Sequence, residues 1–357
     1  MTKLTKKKNA FIQYGSLLFL ICLTTYLVST TLDITLIPHI IKIVNKKYIM
    51  LGIFLMIVYI FFESLILHII INSIQKTKMK FIGFKIATMG FYYNLVTPFA
   101  SGSQPVQVYT LTQHNVSLSK SIAIVTNKTV IYQTMVTIYC GYFIALNIEL
   151  LKIEMPSIMI LMTAGMCMNV FMLFIGMLIV FSPKKIKFIV NFIIDILCRL
   201  RILKKIKNKQ SLINLYIDEY SHSIKIFIKD KKALVFSLIL TFIQLSIFFS
   251  VAYCIYKAFN LSGLSYFNIL TLQVFLYMAV SPVPTPGNVG ANEIAFLTIF
   301  ANVFPKELMG YAVFLYGGFV YYFMVIVCGM LTINTHYHMG KYKRKISYTK
   351  AKSEILN

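Results

Sequence analysis

The sequence predicts an all-α membrane protein of about six full transmembrane helices plus two opposed re-entrant helical hairpins in an inverted repeat. Three observations predict it. Of the 357 residues 58% are hydrophobic and only 13% charged, against about 25% charged in a soluble domain. Several stretches run for roughly 20 residues with almost no charge, enough to cross a hydrocarbon core of about 30 Å. Two further apolar segments are interrupted by proline and glycine, which break helices.

The uninterrupted spans are read at about 12–31, 49–72, 121–146, 156–181, 233–258 and 308–331. Lys3, Lys6, Lys7 and Lys8 precede a full-length apolar span, not the short apolar stretch of a cleavable signal, so the first span is expected to be retained. The segment at 81–118 is broken between Thr97 and Pro105, and the segment at 266–304 between Ser281 and Gly290. Irregular backbone at membrane depth is tolerated only when it is buried in protein or lines a wet cavity.

Charge sets the expected orientation. The N-terminus, the loop at 183–232 and the tail at 336–357 are rich in lysine and arginine and are expected in the cytoplasm. Parity then makes 81–118 begin and end inside, and 266–304 begin and end outside. The domains expected are a first membrane half (1–182), a basic amphipathic cytoplasmic linker (183–232), a second membrane half (233–335) and a basic tail (336–357). Within the linker, 186–197 and 212–228 read as amphipathic helices lying along the membrane interface.

The net charge of +24 lies at span ends and in this loop, a pattern that suits anionic lipid headgroups and argues against nucleic acid. Cys22, Cys140, Cys167, Cys198, Cys254 and Cys328 mostly fall in apolar segments without CxxC spacing, so neither a disulfide framework nor a metal site is expected. His336 and His338 are expected to be solvated in the tail. No GxSxG, HExxH or Walker pattern occurs, and neither a catalytic residue nor a cofactor is expected.

Binding is expected at the breaks instead. A half-helix that starts after each break presents free N–H groups and the positive end of its dipole to an anion such as a lipid phosphate. The expected donors are Ser101, Gly102 and Ser103 with Gln104 nearby in the first break, and Asn288, Val289 and Gly290 in the second. The competing reading is a plain kink whose donors are capped internally. Three ionisable residues lie deep in the apolar segments, where charge is costly and by default functional. Glu63 sits mid-span, and Lys128 about 12 Å into its own at 1.5 Å per residue. Glu293 falls in the first turn after the second break, near Asn292. Lys128 is a candidate for a lipid phosphate, and Glu293 either pairs with Lys128 or meets a cationic headgroup. Glu63 is the remaining intramembrane charge.

The stretch Gly90-Phe91-Tyr92-Tyr93-Asn94-Leu95-Val96-Thr97-Pro98 with Ser101-Gly102-Ser103-Gln104-Pro105, together with Pro286-Gly287-Asn288-Val289-Gly290-Ala291-Asn292-Glu293, resembles the transmembrane domain of the lysylphosphatidylglycerol synthase/flippase family. The resemblance extends over nearly the whole chain in length and span order. It departs where the family's usual Gly-Gly appears as Gly102-Ser103, and where a usual basic residue is replaced by Gln107 or Val108. In full-length members a soluble synthase domain follows and transfers lysine from aminoacyl-tRNA to phosphatidylglycerol, and the membrane part moves the product between leaflets. The resemblance therefore implies a lipid flippase in a bacterial cell membrane, with phospholipids as partners. Because this chain ends at Asn357, soon after its last span, lysyl transfer by this polypeptide alone is not expected. A membrane component that serves a separately encoded synthase is the alternative.

Overall fold

The computed structural model describes Cys22 and residues 34–77, 81–98, 101–149, 151, 155–182, 187–192, 196 and 210–337. Among these residues every regular element is helical, and five helices are long and apolar enough to cross a membrane. The chain is thus an all-helical polytopic membrane protein. The first expected span (12–31) lies outside the described residues apart from Cys22, as do His338, the tail beyond it and most of 183–209.

A short helix, α1 (Ile37–Ile43), leads to α2 (Lys46–Ile74), which Asn45 caps by accepting from the Lys47 amide at 3.1 Å. The first interrupted segment is a pair of half-length helices, α3 (Ile82–Val96) and α4 (Ser103–Gln113). Two full helices follow, α5 (Leu118–Leu146), capped by Ser117, and α6 (Pro156–Phe181). The amphipathic helix α7 (Gln210–Lys229) packs on α5, buries Tyr220, Ile224 and Phe227, and holds Ser117 through Glu219 at 2.8 Å. Next, α8 (Lys231–Phe249) and α9 (Val251–Ala258) join across Ser250 into one span. The second interrupted segment comprises α10 (Tyr266–Val280) and α11 (Ala291–Ile299). The last helix, α12 (Lys306–Tyr337), contains a π-helical turn at Gly318–Phe323.

α6 matches its expected bounds, and the other observed spans begin two or three residues before the expected starts; Asn45, Ser117 and Asp230 cap the starts of α2, α5 and α8. The largest difference is α12, which continues to Tyr337 and buries His336, so His336 is not the solvated tail residue the sequence suggested. The four half-helices have 15, 11, 15 and 9 residues. At ~1.5 Å per residue even the longest reaches only about 22 Å, short of a ~30 Å core. Each packs against its partner across the break.

Around these pairs α2 is the central post, in contact with α3, α5, α8 and α9. One apolar core, with Met56, Val136, Phe249, Phe275 and Phe296, joins α2, α5, α8, α10 and α11. A second, with Leu67, Ile86, Leu111, Ile124 and Phe227, joins α2–α5 to α7. Outward faces are apolar too: Phe54 and Phe61 on α2 and Phe171 and Phe174 on α6 are more than half exposed. Such surface is stable against lipid, not water.

Close helix approach depends on glycine, as it does in bundles that gain no hydrophobic drive from lipid. A Cβ on Gly165 of α6 would overlap the backbone carbonyl of Met278 in α10. Gly165→Val should therefore lower stability by about 1–3 kcal/mol through overpacking, read as a lower melting temperature in detergent. Gly310→Ala, whose methyl meets nothing within 4 Å, should leave it unchanged or raised.

Candidate functional site

The first break begins where Pro98 forces its predecessor out of the helical region: Thr97 is extended, at φ −120° and ψ 143°. The Thr97 hydroxyl donates to the Tyr93 carbonyl at 2.6 Å and accepts from the Gly102 amide at 2.9 Å, spanning the gap between α3 and α4. The Ser101 amide is bonded to the Pro98 carbonyl at 3.1 Å. Ser103 is buried where α4 crosses Gly90, since a Cβ on Gly90 would lie 3.0 Å from its hydroxyl.

The second break turns through three positive-φ residues, Gly287 (59°), Asn288 (57°) and Gly290 (82°). Its amides are also in use. Asn288 N–H donates to the Thr285 carbonyl and Val289 N–H to that of Pro286, both at 3.2 Å. Gly290 N–H donates to the Glu293 carboxylate at 2.6 Å. The start of α11, expected to be open to an anion, thus already holds one: Glu293 occupies it, where the helix dipole favours a carboxylate. Ser281, where α10 ends, accepts from Asn169 Nδ2 at 3.1 Å, and Gln133 in turn donates to Asn169.

The second break touches the end of α3. A Cβ on Gly287 would overlap the Tyr321 ring and stand 2.9 Å from the Leu95 carbonyl at the end of α3. Beside this contact lies a cavity of about 150 Å³. Its wall includes five aromatic residues (Tyr59, Phe91, Phe248, Tyr277, Tyr316) and three asparagines (Asn94, Asn288, Asn292). None of the described residues lining it is charged. Asn94 Oδ1 is buried there without a hydrogen-bond partner, as are Thr285 Oγ1 and the Tyr321 hydroxyl near the junction. Buried acceptors are rarely left this way.

The intramembrane charges pair differently from expectation. Lys128 forms an ion pair with Glu63, not with Glu293, because α5 packs directly on α2 while Glu293 is engaged at its own helix start. The other Glu63 oxygen accepts from Gln244 of α8 at 3.0 Å. Lys128 also sits 5.3 Å above the centre of the Tyr132 ring, and the Tyr132 hydroxyl is 3.0 Å from that of Tyr277 in the cavity wall.

Of the residues singled out in the sequence, Asn288 and Asn292 line the cavity. Ser101, Gly102, Ser103 and Gln104 build the first break, Gly290 and Glu293 close the second, and Glu63 and Lys128 lie behind the tyrosine wall. Asn94, Gln244 and the ring-bearing wall residues were not named as site residues, although Phe91 and Asn94 lie in the stretch that carries the family resemblance. Asn94 and Gln244 carry a readable signal, an amide side chain inside an otherwise apolar run; the aromatic residues do not stand out among 23 tyrosines and 29 phenylalanines.

The ion pair is testable by a double-mutant cycle. Lys128→Met strands a buried carboxylate and should cost about 3 kcal/mol. Glu63→Gln combined with Lys128→Met should recover most of that loss, measured by thermal unfolding of the purified protein; a double-variant loss equal to the sum of the Lys128→Met and Glu63→Gln losses would mean that the two side chains do not interact.

No curated protein and no solved structure matches the chain. The family model described as the lysylphosphatidylglycerol synthase TM region matches residues 12–328, which include both breaks, the cavity wall and the ion pair. The chain belongs to the lysylphosphatidylglycerol synthase transmembrane-region family.

Proposed function

We propose that this protein is a lipid translocase, moving an anionic or aminoacylated phospholipid, lysylphosphatidylglycerol foremost, between leaflets of a bacterial cell membrane. The observation that carries the reading is the uncharged, amide-edged cavity built jointly by two broken helical pairs. Family membership ties the chain to membrane lipid.

The wall chemistry favours the aminoacylated form. A bare phosphate would meet no cationic side chain there. An ammonium would find aromatic faces, which attract cations, and the unpartnered oxygen of Asn94. The acyl chains stay in the bilayer against the apolar outer faces of the helices.

Orientation follows from charge. With the basic linker and tail in the cytoplasm, the α3–α4 pair enters from the cytoplasmic face and the α10–α11 pair from the opposite one. Their tips then meet near the middle of the membrane, where inverted-repeat transporters hold their substrates. Rocking one half against the other would expose the cavity to each leaflet in turn.

In proteoliposomes, the wild-type protein should move fluorescent lysylphosphatidylglycerol between leaflets faster than unmodified phosphatidylglycerol. Asn94→Leu and Asn292→Leu should each slow it about tenfold, the scale of one hydrogen bond to a charged group. No movement of either lipid, or variants as fast as wild type, would contradict the proposal.

A further inference from the structure

We propose that Glu63 is a proton-carrying site, loaded from the cavity through the hydroxyls of Tyr277, Tyr132 and Tyr59, and that its protonation drives the lipid step. The coupling to lipid rests on the translocase reading; the proton loading does not.

The first observation is that α2 and α5 are tied by an ion pair, whereas Gln133, Asn169 and Ser281 join α5, α6 and the second break by neutral hydrogen bonds. An ion pair at membrane depth is costlier than such a link and typically marks an ion or proton path.

The second is position. Glu63 lies one helical turn from Tyr59, which lines the cavity. The Tyr132 and Tyr277 hydroxyls are 3.0 Å apart, Tyr59 lies beside Tyr132, and both Tyr59 and Tyr277 line the cavity. Tyrosines from α2, α5 and α10 thus stand between the cavity and the ion pair. The titratable and charged groups facing this cluster are Glu63 and Tyr59 from α2, Lys128, Tyr132 and Cys140 from α5, Tyr277 from α10, and Tyr316 and Cys328 from α12. From α8 comes Gln244, which does not titrate.

The third is an acceptor waiting for a proton. Gln244 donates to Glu63 through Nε2, while its own Oε1 is buried without a partner. Protonated Glu63 would carry an O–H that a rotated Gln244 amide accepts, which satisfies that oxygen.

The transfer balances. Tyr277 takes a proton from cavity water as it gives its own to Tyr132, Tyr132 gives one to Tyr59, and Tyr59 gives one to the Glu63 carboxylate. One O–H bond forms on Glu63, each tyrosine ends as it began, and Lys128 stays an ammonium. The cluster gains one positive charge, the ionic bond between α2 and α5 is lost, and the wall bearing Tyr59 and Tyr277 is free to shift. Discharge to the opposite face resets the pair.

Two measurements on the full chain test this. Infrared difference spectra of the purified protein, taken as pH is lowered, should show a carboxylic-acid C=O band that Glu63→Gln abolishes. Tyr132→Phe, which keeps the ion pair, should delay its appearance and serves as the test should Glu63→Gln fail to fold. In proteoliposomes with the membrane potential clamped, a gradient of one pH unit should shift the steady-state distribution of lysylphosphatidylglycerol about tenfold if one proton moves per lipid. A wild-type protein without the band, or a band unchanged in both variants, overturns the proton site. A band present with a lipid distribution indifferent to the gradient overturns the coupling. Failure of all lipid movement refutes the translocase reading and the coupling with it, and leaves the infrared band to decide the proton site alone.

Discussion

Irregular backbone inside a membrane must find its hydrogen bonds within the protein, and the rest of this structure depends on how the two breaks do so. Pro98 and the run Pro282, Pro284 and Pro286 end helices where water cannot be relied on. Thr97 and Glu293 then bond to the freed amides of Gly102 and Gly290. These local closures are compact enough for the second break to lie against the Leu95 carbonyl with no side chain between, which is why Gly287 must be glycine. The cavity lies beside that contact, walled by α2, α3, α8, α10, α11, α12 and the second break.

The same constraint explains where the charges went. Glu293 belongs to a helix start and Glu63 to a bundle interior, so the two carboxylates are not interchangeable partners for Lys128. A helix start offers a carboxylate amide donors and a favourable dipole. A bundle interior offers nothing unless a cation and an amide are supplied, and Lys128 and Gln244 supply them. The ion pair then stands behind tyrosines that also face the cavity, so the charged cluster and the proposed binding space share one wall.

Much of the fold was legible in the sequence, since span length and proline placement respond directly to bilayer thickness and to the missing proline N–H. Both breaks lie where Thr97–Pro105 and Ser281–Gly290 indicated. The site was legible only in part. Asn288 and Asn292, which line the cavity, could be picked out from their place beside the second break. That Glu293 bonds to its own helix start could have been suspected from its spacing to Gly290, the distance of a capping box. The Glu63–Lys128 pairing could not be read, because it depends on which faces of α2 and α5 meet. Nor could the place of Asn94 in the cavity wall, which follows only once the second break is set against α3.

The central claim is that one cavity, walled by α3 and the second broken pair, receives the headgroup. Single cysteines at Asn94 and Asn292, on an otherwise cysteine-free background, test it most directly with a membrane-impermeant thiol reagent. The account predicts that both react and that added lysylphosphatidylglycerol protects both over the same concentration range. Protection of one without the other, or of neither, would contradict it.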